Sequence, residues 1–324
     1  MVDVSILIPV YNVKDYIIKC LDSVATQTYQ GSIECILVDD CSDDDSIVLA
    51  ESFIAKHNGN VIFHILHHDC NHGIAAARNT AVTAASGEFI IHLDSDDWLK
   101  PKAIELLVKK QKETDADIVS GAAIQHGEMG KEKLVEPDYA TPTDMVYKTI
   151  EMTLDHVLWR RLIRKSLYTD NGILAFEGVN IGEDHHTLPR LAYYSTKIAK
   201  IDNVVYNYYC LNPNSYMSAR TPGFNMGRFY NDISSIDILI NFFIGKDEYC
   251  IKRLNEIRLE YIRKSLCACC LLSDRQAYNQ ISLEFGIKKL YISLYVKSYC
   301  QVFKSKINRT LFNHLLCKQN TITS

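Results

Sequence analysis

Asp94-Ser95-Asp96-Asp97 places three carboxylates within four residues, directly after the apolar run Phe89-Ile90-Ile91-His92-Leu93. A buried strand that ends in clustered acids needs positive charge among them. A hard divalent cation such as Mg²⁺ or Mn²⁺ takes oxygen ligands and leaves coordination positions open for a phosphate. The alternative for the same acids is a solvated turn, with Asp97 capping a helix that begins near Pro101. A second acidic pair, Glu183-Asp184, is followed by His185, His186, Leu188 and Leu191. That pattern suits either the first turn of a helix or a carboxylate placed to take a proton. Adjacent histidines point to different faces, so His185 and His186 are expected at the surface or behind the site rather than on one metal.

The elements that must carry these groups read as an α/β alternation over the first 125 residues. Val4–Val10, Glu34–Val38, Val61–Leu66 and Phe89–Leu93 are short β-rich runs. Helical patterns follow them through Tyr16–Val24, from Asp45 to His57, through Ile74–Ala84, and from Pro101 to about Thr114. Ile118 opens a further strand. Continuous apolar strands alternating with helices predict a mostly parallel sheet flanked by helices. Residues 127–143 turn polar and read as a loop. From Met145 to Tyr209 short helices and strands mix, and from about Gly223 the spacing of Leu, Ile, Tyr and Phe predicts helices.

In open α/β sheets, ligands collect beyond the carboxyl ends of the strands. Here those ends are Pro9-Val10-Tyr11-Asn12, Asp39-Asp40-Cys41-Ser42, His67-His68-Asp69 and the Asp94 cluster. The crevice is acid-rich. It lacks the G-x-G-x-x-G of a dinucleotide site and the G-x-x-x-x-G-K-[ST] of a P-loop. A nucleotidyltransferase would want a basic, glycine-rich loop after the first strand, which Pro9-Val10-Tyr11-Asn12 is not. Asp40 can accept from a uracil imide or ribose hydroxyls, Tyr11 can stack on a base, and a metal at Asp96 would then meet a diphosphate.

Composition sets the remaining bounds. At 324 residues with 47% hydrophobic content, the chain has ample length for a buried core. A formal net charge of −4 carries no basic signature of nucleic-acid binding. Eleven cysteines, odd in number and without paired spacing, suggest reduced thiols and a reducing compartment. The N-terminus shows no signal-peptide pattern and no run reaches a membrane span, so a cytoplasmic protein is expected. After Glu284 no acid appears, while Lys288, Lys289, Lys297, Lys304, Lys306 and Arg309 alternate with aliphatic and aromatic residues. That tail suits either peripheral contact with an anionic membrane at its inner face or a packed helix with solvated lysines.

Taken in order, Val4-Ser5-Ile6-Leu7-Ile8-Pro9-Val10-Tyr11-Asn12, Leu37-Val38-Asp39-Asp40, Asn71-His72-Gly73 with Ala77-Arg78-Asn79, Leu93-Asp94-Ser95-Asp96-Asp97, Trp159-Arg160 with Ile163-Arg164, and Gly182-Glu183-Asp184 resemble a family 2 glycosyltransferase. The resemblance covers about two thirds of the chain and weakens beyond about Ser215. It implies a GT-A nucleotide-diphospho-sugar fold over 1–222, with a nucleotide-sugar half at about 1–125 and an acceptor half at about 145–215, followed by a helical region at 223–324. It implies that Pro9, Tyr11 and Asp40 hold the uracil end of a UDP-sugar while Asp39 supports the loop. Arg78, Asp94 and Ser95 would meet the ribose and diphosphate. Asp96, with Asp94 and Asp97, would hold Mn²⁺ or Mg²⁺, and Asp184 or Glu183 would act as base in an inverting transfer to a saccharide or lipid-linked acceptor in cell-surface polysaccharide or glycan synthesis. The competing outcome is a protein that keeps the fold as a nucleotide-sugar binder or scaffold. The sequence departs from the family pattern at Cys41, where glycine is usual, and at Trp159-Arg160-Arg161-Leu162, which lacks the usual Asn-Lys pair.

Overall fold

Strand β1 (Val4–Val10) is buried along its whole length, as is β2 (Ile33–Asp39). Both are unbroken apolar runs for one reason: a parallel sheet covered on both faces has no solvent side on which to place polar residues. A computed structural model describes residues 2–128, 132–213, 215 and 224–287. In it β1 runs parallel to β2 and to β4 (Phe89–His92), and β2 runs parallel to β3 (Val61–His67). The helices between them, α1 (Ile17–Ala25), α2 (Ser46–Ile54) and α3 (Ile74–Ala84), match the expected alternation. Helix α1 turns Ile17, Cys20, Leu21 and Val24 inward, the three- and four-residue spacing of one apolar stripe.

The pairing of β1 explains where the sheet opens. Its rungs to β2 run to Val10↔Asp39, but those to β4 stop at Leu7↔His92. Beyond Leu7 the two strands part. Pro9 lies in this stretch, so its missing N–H breaks no rung to β4, which is why a central strand tolerates proline there. The strand order reverses between β1 and β4, and that is where α/β sheets bind ligands.

Past β4 the sheet becomes mixed. β8 (Arg161–Arg164) joins β4 antiparallel, β6 (Ile118–His126) joins β8 antiparallel, and β9 (Ile198–Tyr209) lies parallel to β6. The two-residue β5 (Trp98–Leu99) pairs with β9, giving the order β3-β2-β1-β4-β8-β6-β9-β5. Strand β7 (Glu132–Val135) lies antiparallel on β6. This corrects the expectation of a loop across 127–143: Glu132 and Lys133 are exposed edge residues, so the segment carries no apolar alternation. The helix expected from Pro101 begins two residues later, as α4 (Ala103–Thr114), and is capped by Lys102 rather than Asp97.

Helix α5 (Pro142–Ile150) packs on α7 (Glu183–Tyr194), and the short α6 (Ser166–Thr169) lies between β8 and α7 in sequence. The expected helical region appears as α8 (Met226–Phe243), α9 (Glu248–Leu271) and α10 (Arg275–Glu284). Two compact units divide the chain, one comprising Met1–Arg220 with Gly227–Arg258 and the other Thr221–Met226 with Leu259–Ser324. In the second, Ile262, Leu266, Ala277 and Ile281 are buried, and the Asp274 side chain caps α10 by accepting from Ala277 N at 3.0 Å. The basic tail from Lys288 lies outside the described residues. Among those described, no helix is long and apolar enough to cross a membrane.

Candidate active site

Where β1 and β4 part, a cavity of about 320 Å³ opens within the first unit. Pro9 and Tyr11 from the end of β1, Asp40 after β2, Arg78 on α3, Asp94, Ser95 and Asp96 after β4, and Glu183 and Asp184 at the start of α7 all line it. Residues from five separate chain segments therefore meet in one crevice. Asp39 and Asp97 do not line it.

Arg78 is the hub. Its Nη2 donates to Asp94 Oδ1 at 2.8 Å and its Nε to Glu183 Oε1 at 3.4 Å, with Asp184 Oδ1 at 3.8 Å. Burial alone would lower its pKa, but Asp94, Asp184 and Glu183 together raise it further, so the guanidinium stays charged. Its Nη1 is buried and makes no hydrogen bond among the described residues. One cation thus meets three carboxylates, Asp94, Glu183 and Asp184, and Asp96 adds a fourth to the same crevice.

The excess of acid shows in their protonation. Burial, then the Asp94 charge, pushes Asp96 up to about 6. Burial and the neighbouring Asp184 push Glu183 up to about 8. Asp184 is raised by burial, with Arg78 opposing. Its Oδ2 accepts from Leu158 N at 3.1 Å while Oδ1 accepts no hydrogen bond among the described residues. The carboxylate is held by one oxygen and presents the other. Glu183 and Asp184 occupy the first turn of α7, as the helix reading of the pair expected; Gly182 stands at the N-cap in a left-handed conformation, φ +90°, and no side chain caps the helix.

The other acids have structural tasks. Asp40 accepts from Gly73 N at 2.7 Å, from His72 N at 2.9 Å and from His68 Nδ1 at 2.7 Å. It seals the turn into α3, and a carboxylate has about four acceptor positions, so one stays open to the crevice. Gly73 is required there: its φ is +90°, and a Cβ would meet the Asn180 amide at 2.3 Å. Asp39 Oδ1 accepts from Ser42 N at 2.9 Å and supports the same loop. Asp97 is buried, with its oxygens accepting from Tyr206 Oη at 2.8 Å and Tyr209 N at 2.7 Å. Burial and its acidic neighbours raise its pKa well above the usual range.

Tyr206 and Asn212 carry no signal in the sequence, whereas Trp159, Arg160 and Asn79 stood in its motifs without their tasks being visible. Tyr206 Oη also accepts from Asp94 N at 3.1 Å, so one phenol braces both ends of the acid cluster. Asn212 Nδ2 donates to Asp96 Oδ2 at 2.8 Å, leaving Oδ1 for another partner. Trp159 lines the crevice and stacks on Tyr206 and Tyr208, with centroids at 4.5 and 5.2 Å. Its neighbours Arg160 and Arg161 are fully buried on Asp155, at 2.5 and 2.8 Å, and serve the frame. Asn79 Nδ2 donates to Ala175 O at 2.9 Å and its Oδ1 accepts from Ala175 N at 2.8 Å, fastening α3 to the segment before α7.

Of the two places expected for them, surface or behind the site, His185 and His186 take the second and are buried. His186 Nε2 accepts from Phe176 N at 3.0 Å, and its Nδ1 faces Ser235 Oγ at 3.3 Å, which in turn donates to Gly182 O at 3.1 Å. Burial pushes both imidazoles down to about 3, helped by His156 for His185 and by Arg190 for His186. They are neutral supports behind the acids.

The donor set fits a hard divalent cation. Asp94 and Asp96 offer oxygen ligands in an acid-rich pocket, while among the described residues no third acid converges on them closely enough to complete a cage. One or two carboxylates plus phosphate oxygens is the usual arrangement for Mg²⁺.

A parallel-then-mixed sheet with an acidic crevice at its switch point defines a fold of the GT-A type. Residues 5–169 match the profile described as Glycosyl transferase family 2, and the chain belongs to that family. It is 29% identical to the glycosyltransferase GlyG of Streptococcus pneumoniae serotype 4 over 222 residues, which is 63% of this chain and 70% of GlyG. It is 32% identical over 210 residues to the poly(ribitol-phosphate) beta-glucosyltransferase of Bacillus spizizenii, which is 64% of this chain but only 32% of that longer protein. In fold it is similar to S. aureus TarS 1–349 in complex with UDP-GlcNAc, with TM-score 0.63, 17% identity, and coverage of 88% of this chain and 92% of that one. It is also similar to the mannosyltransferase PcManGT of Pyrobaculum calidifontis in complex with GDP-Man and Mn²⁺, with TM-score 0.59, 16% identity, and coverage of 96% and 83%.

Proposed function

We propose that the protein transfers a sugar, with inversion, from a UDP-sugar to a saccharide or lipid-linked acceptor in surface-glycan synthesis, and that the transfer depends on Mn²⁺ or Mg²⁺. The observation that carries this reading is Arg78, whose guanidinium joins the candidate metal acid Asp94 to the candidate base pair Glu183-Asp184 in one crevice. Pro9, Tyr11 and the remaining acceptor position of Asp40 receive the uracil end, with Asp39 holding their loop. Arg78 Nη1 and Ser95 face the diphosphate. A divalent cation bound by Asp96 and Asp94 would supply charge for the leaving diphosphate; Asp97, tied to Tyr206, keeps the cluster in place. Asp184 takes the acceptor proton through its unbonded Oδ1, and its raised pKa makes it a stronger base than a solvated aspartate. Glu183 tunes it.

One relative's name states transfer to a surface polymer, poly(ribitol-phosphate), which agrees with surface-glycan synthesis, and the nucleotide-sugar complexes of the structural neighbours support the donor class. In this reading the catalytic domain ends near residue 222, its halves lie at about 1–125 and 145–215, and the protein works at the cytoplasmic face of a membrane.

The test is a thermal-shift titration of UDP with and without Mn²⁺ on the wild type and Asp96→Ala. A ligand at one hundred times its dissociation constant stabilises the fold by about 2.7 kcal/mol. The expected result is a metal-dependent shift in the wild type that Asp96→Ala loses. No shift in either protein would overturn the UDP reading.

A further inference from the structure

Outside the crevice, on the loop between β3 and α3, three different ligand types converge. Asp69 Oδ1 lies 2.8 Å from His72 Nε2, and Cys70 Sγ lies 3.4 Å from the same nitrogen. All three donor atoms fall within 4.8 Å of one another, and all three residues are exposed. Across the strand ends, Cys41 Sγ lies 3.9 Å from the Asp69 backbone carbonyl oxygen, beside the cluster but outside the three donor atoms that converge, so it must move inward to join them. The nearby His68 is already committed, with Nδ1 on Asp40 and Nε2 on Thr80.

We propose that Asp69, Cys70 and His72, with Cys41 as fourth ligand, form a binding site for a borderline-soft divalent cation, Zn²⁺ above all. The donor set argues for that class. Thiolate and imidazole select zinc-like ions, whereas the all-oxygen crevice selects Mg²⁺ or Mn²⁺. The spacing agrees. With ligand bonds of about 2.0 to 2.3 Å, a tetrahedral site separates its ligand atoms by roughly 3.3 to 3.8 Å. The Cys70–His72 separation already lies in that range, and the Asp69–His72 pair has only to open slightly.

A bound cation would take the place of the hydrogen bonds that now join Asp69 and Cys70 to His72 Nε2. The site is separate from the crevice but linked to it through the backbone, because His72 N and Gly73 N both donate to Asp40. A cation there would clamp the exits of β2 and β3 together and hold Asp40 in place.

The experiment is a Zn²⁺ titration of the full, tag-free, reduced chain against a chromophoric chelator, with Co²⁺ spectra as a second measurement. The expected result is one tight equivalent per chain. Its affinity should fall about 100-fold or more in Cys70→Ser and in His72→Gln, at or above what even outer-shell partners contribute. It should stay unchanged in Asp96→Asn. Co²⁺ should give thiolate charge-transfer bands that weaken by about half in Cys41→Ser, as two thiolates predict. Wild-type affinity in both Cys70→Ser and His72→Gln would overturn the proposal. So would loss of the tight equivalent in Asp96→Asn or in a Cys269→Ser control, which would place the zinc elsewhere.

Discussion

The Arg78 guanidinium and the Asp94 carboxylate meet at 2.8 Å, both largely shielded from water, and the same guanidinium reaches Glu183 on another helix. Removing one partner of such a cluster leaves uncompensated charge behind. Arg78→Met should therefore lower unfolding free energy by about 3 kcal/mol in urea titrations. Arg78→Lys keeps the charge but loses the fork, and should fall between the two. A loss under about 0.5 kcal/mol in Arg78→Met would show that the acids shed their charge freely.

Asp184→Asn keeps size and the Leu158 N contact but removes the base. Turnover should fall by about 10²- to 10⁴-fold while UDP binding persists. Equal turnover in wild type and variant would assign the proton to another group. No turnover in the wild type, with UDP bound, would favour the binding-protein alternative.

Tyr206→Phe removes a hydroxyl that donates to Asp97 and accepts from Asp94 N. Two buried groups then lose a partner at once, a cost of about 2 kcal/mol measurable by denaturant unfolding. The same variant should weaken the metal-dependent UDP shift, because Asp94 and Asp97 are no longer braced by one residue.

Cys41 has φ +63°, a left-handed conformation that glycine accepts without strain. Relief of about 1–2 kcal/mol of backbone strain exceeds the chain-entropy cost of glycine, so Cys41→Gly should stabilise by about 0.5–1 kcal/mol. Cys41→Val, β-branched at the same φ, should destabilise. Matching melting temperatures for the two variants would show that the turn is not strained.

His185 and His186 contribute to the acid side of the pH response, both held near 3 in the fold against an ordinary value of 6.5. Unfolded chains bind these protons below pH 6.5, whereas the folded protein does so only near pH 3. Their contribution to stability is thus complete above pH 6.5 and is lost as pH falls towards 3. Each proton adds a slope of about 1.4 kcal/mol per pH unit in that window. His185→Phe removes one titrating group whose Nε2 makes no hydrogen bond among the described residues. It should reduce the slope between pH 6 and pH 5 by about one proton. An unchanged slope would place acid sensitivity elsewhere.

What could be read from the sequence follows the range of each interaction. β1, β2 and β4 were legible because burial on both faces forces unbroken apolar runs, and α1 because its apolar spacing is local. The meeting of Arg78 with Glu183, 105 positions away, was not, since no local pattern encodes it. Family order named both residues without placing them against each other. β7 stayed hidden because an exposed edge strand such as Glu132–Val135 needs no apolar alternation. Burial of the two histidines was equally silent: their surroundings come from α8 and from the segment around Phe176, both remote in sequence.

Asn79 imitates a strand rung, exchanging two hydrogen bonds with Ala175 as a backbone neighbour would. The segment leading to residues 180–184, which line the crevice, is therefore fastened to α3 at Ala175. Between it and α7 lie Gly178 and Gly182, both at positive φ, and a Cβ at Gly178 would meet nothing within 4 Å. The conformational freedom of this segment is thus concentrated in that short stretch, and Gly178 is where the backbone could be stiffened without touching a single charged group.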